Sequence, residues 1–481
     1  MRPGKVLPGG GGRELAVTVD GLSARLAQTL HLLGREPLPV RTTEAARDRL
    51  LHIIGVTLVS SELAAATAAW ETVRGDVGLC TAVGRPGRLS ASAAAFANAV
   101  AAHDSLLEDC GPGGLSEGSH PGTYVLPAAL AAAEQVNASG YELLAGIVVG
   151  YEAVGLLGNI APTSIVARRF RPLGVLGPIG AAAAAATLYG CDQAQLAAAL
   201  SIAANTAAGF GQGFVAGSME PYLHAGFAAR NGLLAAGLAM SGCTASPNSF
   251  EGPYGFFRTY GGEDGRMPAE QADHAVSRLG TKRFAACLQN QETLALILAR
   301  LPVPFSVDTV ARVRLLRPAT PNNGVASPGV GAEPPYTTML QRQMSARFTA
   351  AAALLRRPVD DIRYFESAGT DKHAAELAAR IELVPTNDAT VRVEVDLEDG
   401  TKFAVSDDMS SVLYPTSAEI RARFSARAGS VIGSAADDVA EVIAQLDELP
   451  GVSTLMALLR PADSGLEDSR LRQGRGELIW T

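Results

Sequence analysis

Residues 143–160 read LLAGIVVGYEAVGLLGNI, an apolar run interrupted by Glu152. Its length approaches that of a membrane span, but a carboxylate in the middle is better met inside a large protein. We therefore read it as a buried helix, and the chain on both sides of it reads the same way. Between Glu44 and about Gly280 the pattern is almost wholly helical. Leu50, Ile53, Ile54, Val56 and Leu58 recur at helical spacing after Thr43. Residues 90–109 are expected as a second helix, with Phe96, Val100, His103 and Leu107 on one stripe and the Gly/Pro run at 111–114 stopping it. Ala- and Gly-rich helices are expected over 140–157, 178–189, 192–208 and 224–241.

The texture changes after Lys282. Residues 307–316, 381–385 and 390–398 alternate polar and apolar side chains, and Glu398-Asp399-Gly400 makes a hairpin turn into 402–405. Helices at 345–355 and 371–379 lie between these strands, and helical periodicity returns at 418–428 and 435–449. The fold class expected is mainly α, a large all-helical domain (14–281 and 419–461) with an inserted smaller α+β lid domain (282–418). Residues 1–13 are expected as a disordered leader and 462–481 as a polar tail.

The chain has 481 residues, 47% hydrophobic, 18% charged and 5% aromatic, enough for a core without disulfide staples. Forty Lys and Arg stand against forty-eight Asp and Glu, a formal charge of -8 with no basic block, which argues against a nucleic-acid surface. Five scattered cysteines, with no C-x-x-C pair, argue against a disulfide framework, a structural zinc or an iron–sulfur cluster. The first thirteen residues lack the apolar segment of a signal peptide, so a cytoplasmic, reducing setting is expected, with no membrane partner.

Functional residue types are densest at His103-Asp104-Ser105-Leu106-Leu107-Glu108-Asp109-Cys110, followed by a Gly-rich loop and Ser119-His120-Pro121-Gly122. A loop histidine near carboxylates and a thiol suits acid/base chemistry, and an exposed loop histidine has the same signature. His103 lies on an apolar stripe, which suits a satisfied core histidine better than a ligand. Cys110 is either a nucleophile or a small core residue. Arg168-Arg169-Phe170-Arg171-Pro172 precedes an Ala-rich helix, an arrangement that suits an anion site or a solvated basic turn. His224 opens another apolar helix.

Several of these runs resemble the MmgE/PrpD family. They are Ser119-His120-Pro121-Gly122 with Leu126-Pro127-Ala128-Ala129-Leu130, Gly150-Tyr151-Glu152, Gly177-Pro178-Ile179-Gly180, Leu223-His224-Ala225-Gly226, and Phe250-Glu251-Gly252 with Gly255-Phe256. The match is ordered and spans about 43–455. The family includes 2-methylcitrate dehydratase and cis-aconitate decarboxylase, which need no metal. The resemblance implies a homodimer, no cofactor, and an active site between a helical domain and a lid.

Site positions carry over in part. The family's histidine in the His-Pro-Ser/Gly turn matches His120. Its Asp-x-Asp-Asp-Thr pattern reads Leu106-Leu107-Glu108-Asp109-Cys110 here, and its histidine in Arg-Phe-His-Pro is Arg171. Its lysine before Leu-His falls at Pro221, followed by Tyr222. The histidine after the segment that here runs from Lys282 to Cys287 is Gln291, and a lid tyrosine is Phe348. Leu156 stands where an arginine normally follows Gly-Tyr-Glu. These exchanges leave a more apolar pocket with one fixed cation, pointing away from the familiar tricarboxylates.

The function expected is a metal-independent lyase performing β-elimination, of water or phosphate, on a small anionic metabolite in a specialised pathway. A decarboxylase or isomerase and an inactive scaffold are the alternatives. His120, Cys110 and Asp109 are the catalytic candidates, and Arg171, His103, His224, Tyr222, Lys282 and Gln291 the substrate-binding ones.

Overall fold

The apolar run does form a buried helix, Gly140–Ile160. Glu152 is accommodated there because its Oε2 accepts the Ala275 backbone N–H at 2.8 Å. Although the stretch is long and apolar enough to cross a membrane, it is packed inside the protein. Small residues set how closely its neighbours approach. A Cβ on Gly180, in the helix Pro172–Leu188, would fall 2.4 Å from Val154 of the Gly140–Ile160 helix. The abundance of Gly and Ala is thus a packing device, allowing backbones to close where larger side chains would hold them apart.

A computed structural model describes residues 21–111, 119–160, 162–261, 265, 271–318, 328–388 and 390–461. The expected leader and polar tail lie outside them. The protein is mainly α, with a smaller α+β region. One apolar core is built from helices between Leu22 and Met240 together with Ile420, Phe424, Val439, Ile443 and Leu455, so the last helices pack back onto the first. Phe424 of Ser417–Ile432 sits against Gly55 of Val40–Ser60.

A second core gathers Phe284, Leu294, Val313, Phe348, Phe365, Leu377 and Val393 around a four-stranded mixed sheet. Val310–Pro318 pairs in parallel with Ile381–Thr386 and antiparallel with Arg392–Leu397, which pairs antiparallel with Lys402–Ser406. The hairpin turn falls where Gly400 takes φ 89°, a conformation open to glycine. A third, smaller cluster joins the two cores, with Phe96, Val100, Leu106 and Tyr222 on one side and Cys287, Leu340 and Met344 on the other.

One expectation needs correcting. The helix expected over 90–109 ends at Asp104, beyond a start capped by Ser90. The chain then turns through Leu106, at φ 55°, and Asp109–Cys110 extends to pair with Gly280–Thr281. Nothing at 105–108 announces this break, because neither Gly, Pro nor Asn is present. Its consequence is chemical, since Lys282 N–H donates to the Glu108 carbonyl at 3.2 Å and the two side chains become neighbours.

Candidate active site

A cavity of about 640 Å³ opens along the seam between the cores. Leu106, His120, Arg171, Phe210 and Phe214 line it from the helical side, Lys282, Cys287 and Met344 from the other. Arg168 and Arg169 stand at the same wall, and Arg168 donates to the Thr259 carbonyl at 2.5 Å.

Under this wall lies a buried charge cluster centred on Glu108. Lys282 Nζ donates to Glu108 Oε1 at 2.5 Å, and the Nδ1 atoms of His120 and His103 lie 3.4 and 3.5 Å from the same oxygen. Burial works to raise the Glu108 pKa, but Lys282 and then the two histidines hold it well below the usual carboxylate range. Glu108 is therefore ionised, and it pairs with the Lys282 ammonium from beneath the cavity wall.

His120 sits at φ 46° on the turn into the helix Gly122–Val136. Its Nδ1 is 2.8 Å from the Asp109 carbonyl, which can only accept, so Nδ1 carries the proton and Nε2 the lone pair. Burial, then Lys282, push the His120 pKa well below 6.5. The ring is a neutral base at neutral pH, at the wall of a cavity whose other charged lining groups are cations.

His103 has the opposite tautomer. Arg171 Nη2 must donate to His103 Nε2, which leaves the His103 proton on Nδ1 facing Glu108. Burial lowers its pKa to about 4. Arg171 also donates from Nη1 to the Pro221 carbonyl, and its guanidinium lies 4.7 Å over the Phe214 ring. No carboxylate lies within ion-pairing distance of Arg171 among the described residues, and Glu108 acts on its charge from farther off.

A family model for the MmgE/PrpD N-terminal domain matches residues 24–268, half of the chain. The chain belongs to the MmgE/PrpD family. The cis-aconitate decarboxylase-like protein oryM of Aspergillus oryzae is 26% identical over 91% of this chain and 97% of its own length. The cis-aconitate decarboxylase of Homo sapiens is 25% identical over 92% of this chain and 95% of its own. That of Aspergillus terreus is 28% identical over 54% of each chain.

Against the MmgE/PrpD pattern, three candidates reach the cavity wall: His120, Arg171 and Lys282. Arg171 spans the gap left by two exchanges, because it occupies one family histidine position and bonds the carbonyl of Pro221, the family's lysine position. His103 and Tyr222 lie behind the wall. The Tyr222 hydroxyl donates to Gln343 at 2.9 Å, and Gln343 donates to the Ser105 carbonyl at 2.8 Å, tying the two cores together. His224 is half-buried against Gly209, off the wall, and burial lowers its pKa to about 3.

Three expectations are corrected. Cys110 is fully buried in the short strand pair and away from the cavity, and burial drives its thiol to about 12, so it is neither nucleophile nor acid. Asp109 is not among the residues that line the cavity. Its carboxylate accepts the Gly122 N–H and the Tyr151 hydroxyl, at 3.0 and 2.7 Å, and so fixes the turn that presents His120. Gln291 has no group to spare for a ligand. Its Oε1 accepts the N–H groups of Arg283 and Phe284, and its Nε2 donates to the carbonyls of Phe284 and Ala286. It clamps the loop that carries Lys282.

Glu108 is the residue that sequence reasoning passed over. Only its pairing with Lys282, far away in sequence, distinguishes it from an ordinary loop carboxylate. Among the described residues, no group of three or more His, Cys, Asp or Glu side chains is arranged to hold a metal ion.

Proposed function

We propose that this protein is a metal-independent lyase acting on a small carboxylate, with His120 moving the proton. The observation that carries this reading is the His120 tautomer, which turns an Nε2 lone pair toward a cation-walled cavity. A substrate carboxylate held by Lys282 and Arg171 would have its α-carbon proton within reach of that base. As the proton leaves, charge spreads onto the carboxylate, and fixed cations stabilise it there. In the elimination reading the C–H electron pair forms the C=C bond and the C–O bond breaks. The departing hydroxide takes a proton from the Lys282 ammonium and leaves as water.

Departure of phosphate is not singled out by the geometry. One N–H on each terminal nitrogen of Arg171 donates, to His103 and Pro221, and the N–H groups that remain suit a carboxylate as well as a phosphate. Decarboxylation is the second reading, and the relatives described as cis-aconitate decarboxylases support it. There the C–CO₂ bond breaks and the carbanion is protonated by Lys282. A homodimer working in the cytoplasm belongs to the same proposal; five free cysteines support the reducing compartment, and membership of the family supports the dimer.

The test is proton NMR in D₂O on hydroxy- and unsaturated di- and tricarboxylates, with carbon dioxide measured in parallel. We expect turnover of one of them, and His120→Gln should lower kcat by about 10²–10⁴-fold with unchanged melting temperature. Full activity in His120→Gln, or no turnover of any carboxylate, overturns the reading.

A further inference from the structure

Beside its charged groups the cavity has a large apolar wall, and the Arg171 guanidinium lies over one ring of it, Phe214. Phe170, Phe210, Phe214 and Val215 line it, and Phe210 is 68% exposed, an aromatic ring left bare at the rim. The bareness is not the disorder of a loop tip. Arg171 N–H donates to the Gly209 carbonyl at 3.0 Å and Gly211 N–H to the Arg169 carbonyl at 3.2 Å, so 169–171 and 209–211 form one bridged unit. The rings of Phe170 and Phe210 stand 6.1 Å apart on it. The backbone that fixes Arg171 thus also fixes the aromatic wall, in one preorganised piece.

Size points the same way. The cavity of about 640 Å³ lies within the roughly 300–1,000 Å³ of pockets that bury a drug-sized ligand, one of about twenty heavy atoms or more. A six-carbon tricarboxylate has only about a dozen, so it would leave the aromatic wall facing water.

We infer that the substrate is an amphiphilic acid. Its carboxylate end lies at His120 and Lys282, and an apolar extension of four or more carbons lies along Phe170, Phe210, Phe214 and Val215. This rests on the carboxylate reading proposed above and adds what the rest of the cavity binds.

Binding of unreactive analogues tests it independently of turnover. Titration calorimetry on the full chain compares succinate, butylsuccinate and hexylsuccinate, with hexylammonium as the control. Burial of a methylene is worth roughly fourfold in affinity. We expect butylsuccinate to bind at least about tenfold tighter than succinate, hexylsuccinate tighter still, and hexylammonium not at all. In Phe210→Ser and Val215→Asp the advantage of the tail should shrink to about threefold or less. Equal affinity for succinate and butylsuccinate overturns the inference, including the case in which a second copy of the chain covers Phe210. So does a tail advantage that survives both substitutions, or binding of hexylammonium. If the tailed acids bind as expected and no carboxylate is turned over, the ligand class stands and the lyase reading falls.

Discussion

Glu108 shows how little of a site need touch the substrate. It holds Lys282 at 2.5 Å and sits beside the proton-bearing Nδ1 atoms of two histidines, while its own carboxylate is buried beneath the cavity wall. Removing one member of a buried ion pair strands the other, at about 3–5 kcal/mol, whereas removing both is far less costly. Glu108→Gln should therefore lower the melting temperature sharply, and Glu108→Gln combined with Lys282→Met should recover most of it without recovering activity. Scanning calorimetry and turnover on the same samples check this. A depressed carboxylate pKa contributes stability above its unfolded value of 4.5 that is lost as pH falls through the folded value. Histidines with lowered pKa act in the same direction, because the unfolded chain takes up their protons below 6.5 while the folded one resists. Asp104 and Asp109, raised by burial to about 7 and about 6, act the other way, so the comparison is between proteins: below pH 4.5 wild type should lose stability more steeply than the double variant.

The elements differ in how openly the sequence declares them. Asp192 and Gln195 form a capping box on the helix Gln193–Ala204, and Thr416 and Glu419 form another on Ser417–Ile432. Both helices were legible from periodicity. The strand pair Asp109–Cys110 with Gly280–Thr281 was not, since two residues on each side carry no pattern and the positive φ falls on a leucine. The roles of Cys110, Asp109 and Gln291 went astray for the same reason. Residue type suggested Cys110 and Asp109, and the family resemblance Gln291, but Cys110 is buried in that pairing, Asp109 is held by Gly122 and Tyr151, and Gln291 by the backbone of the 282–287 loop. His120 was legible because its turn, ending in Pro and Gly, is local. Elements also differ in how they support the site. A Cβ on Gly174 would lie 1.9 Å from the Ala208 carbonyl oxygen, against the segment bridged to Arg171. Gly174→Ala should cost about 1–3 kcal/mol from overpacking and also raise KM. Asp192→Ala should cost about 1 kcal/mol from the lost cap and leave KM alone. Paired denaturation and steady-state measurements separate the two, and equal KM effects would show that Gly174 does not act through the site.

At the scale of the whole molecule, the helix Glu220–Met240 buries one face and leaves another bare. Phe227, Leu234 and Leu238 recur on that second face at helical spacing and are 46%, 50% and 40% exposed. Such a stripe is what a two-fold interface uses, because one self-complementary patch serves both copies. Leu234→Asp with Leu238→Asp should convert a dimer to a monomer in light scattering at micromolar concentration. A wild-type monomer under those conditions would remove the homodimer from the proposal. The architecture also sets an order of events during synthesis. The core begun by Leu26 and Leu30 is completed by Phe424, Val439 and Leu455, and the Leu446 carbonyl fits the space above Gly140 where no side chain stands. When the polypeptide leaves the ribosome at about 5–20 residues per second, the earliest helices wait some tens of seconds for their last partners. Meanwhile the α+β unit has everything it needs, since its strands and helices lie between Phe284 and Ser406 apart from a few contacts. The part translated first is therefore the part finished last, and its unfinished apolar face is what a chaperone would meet.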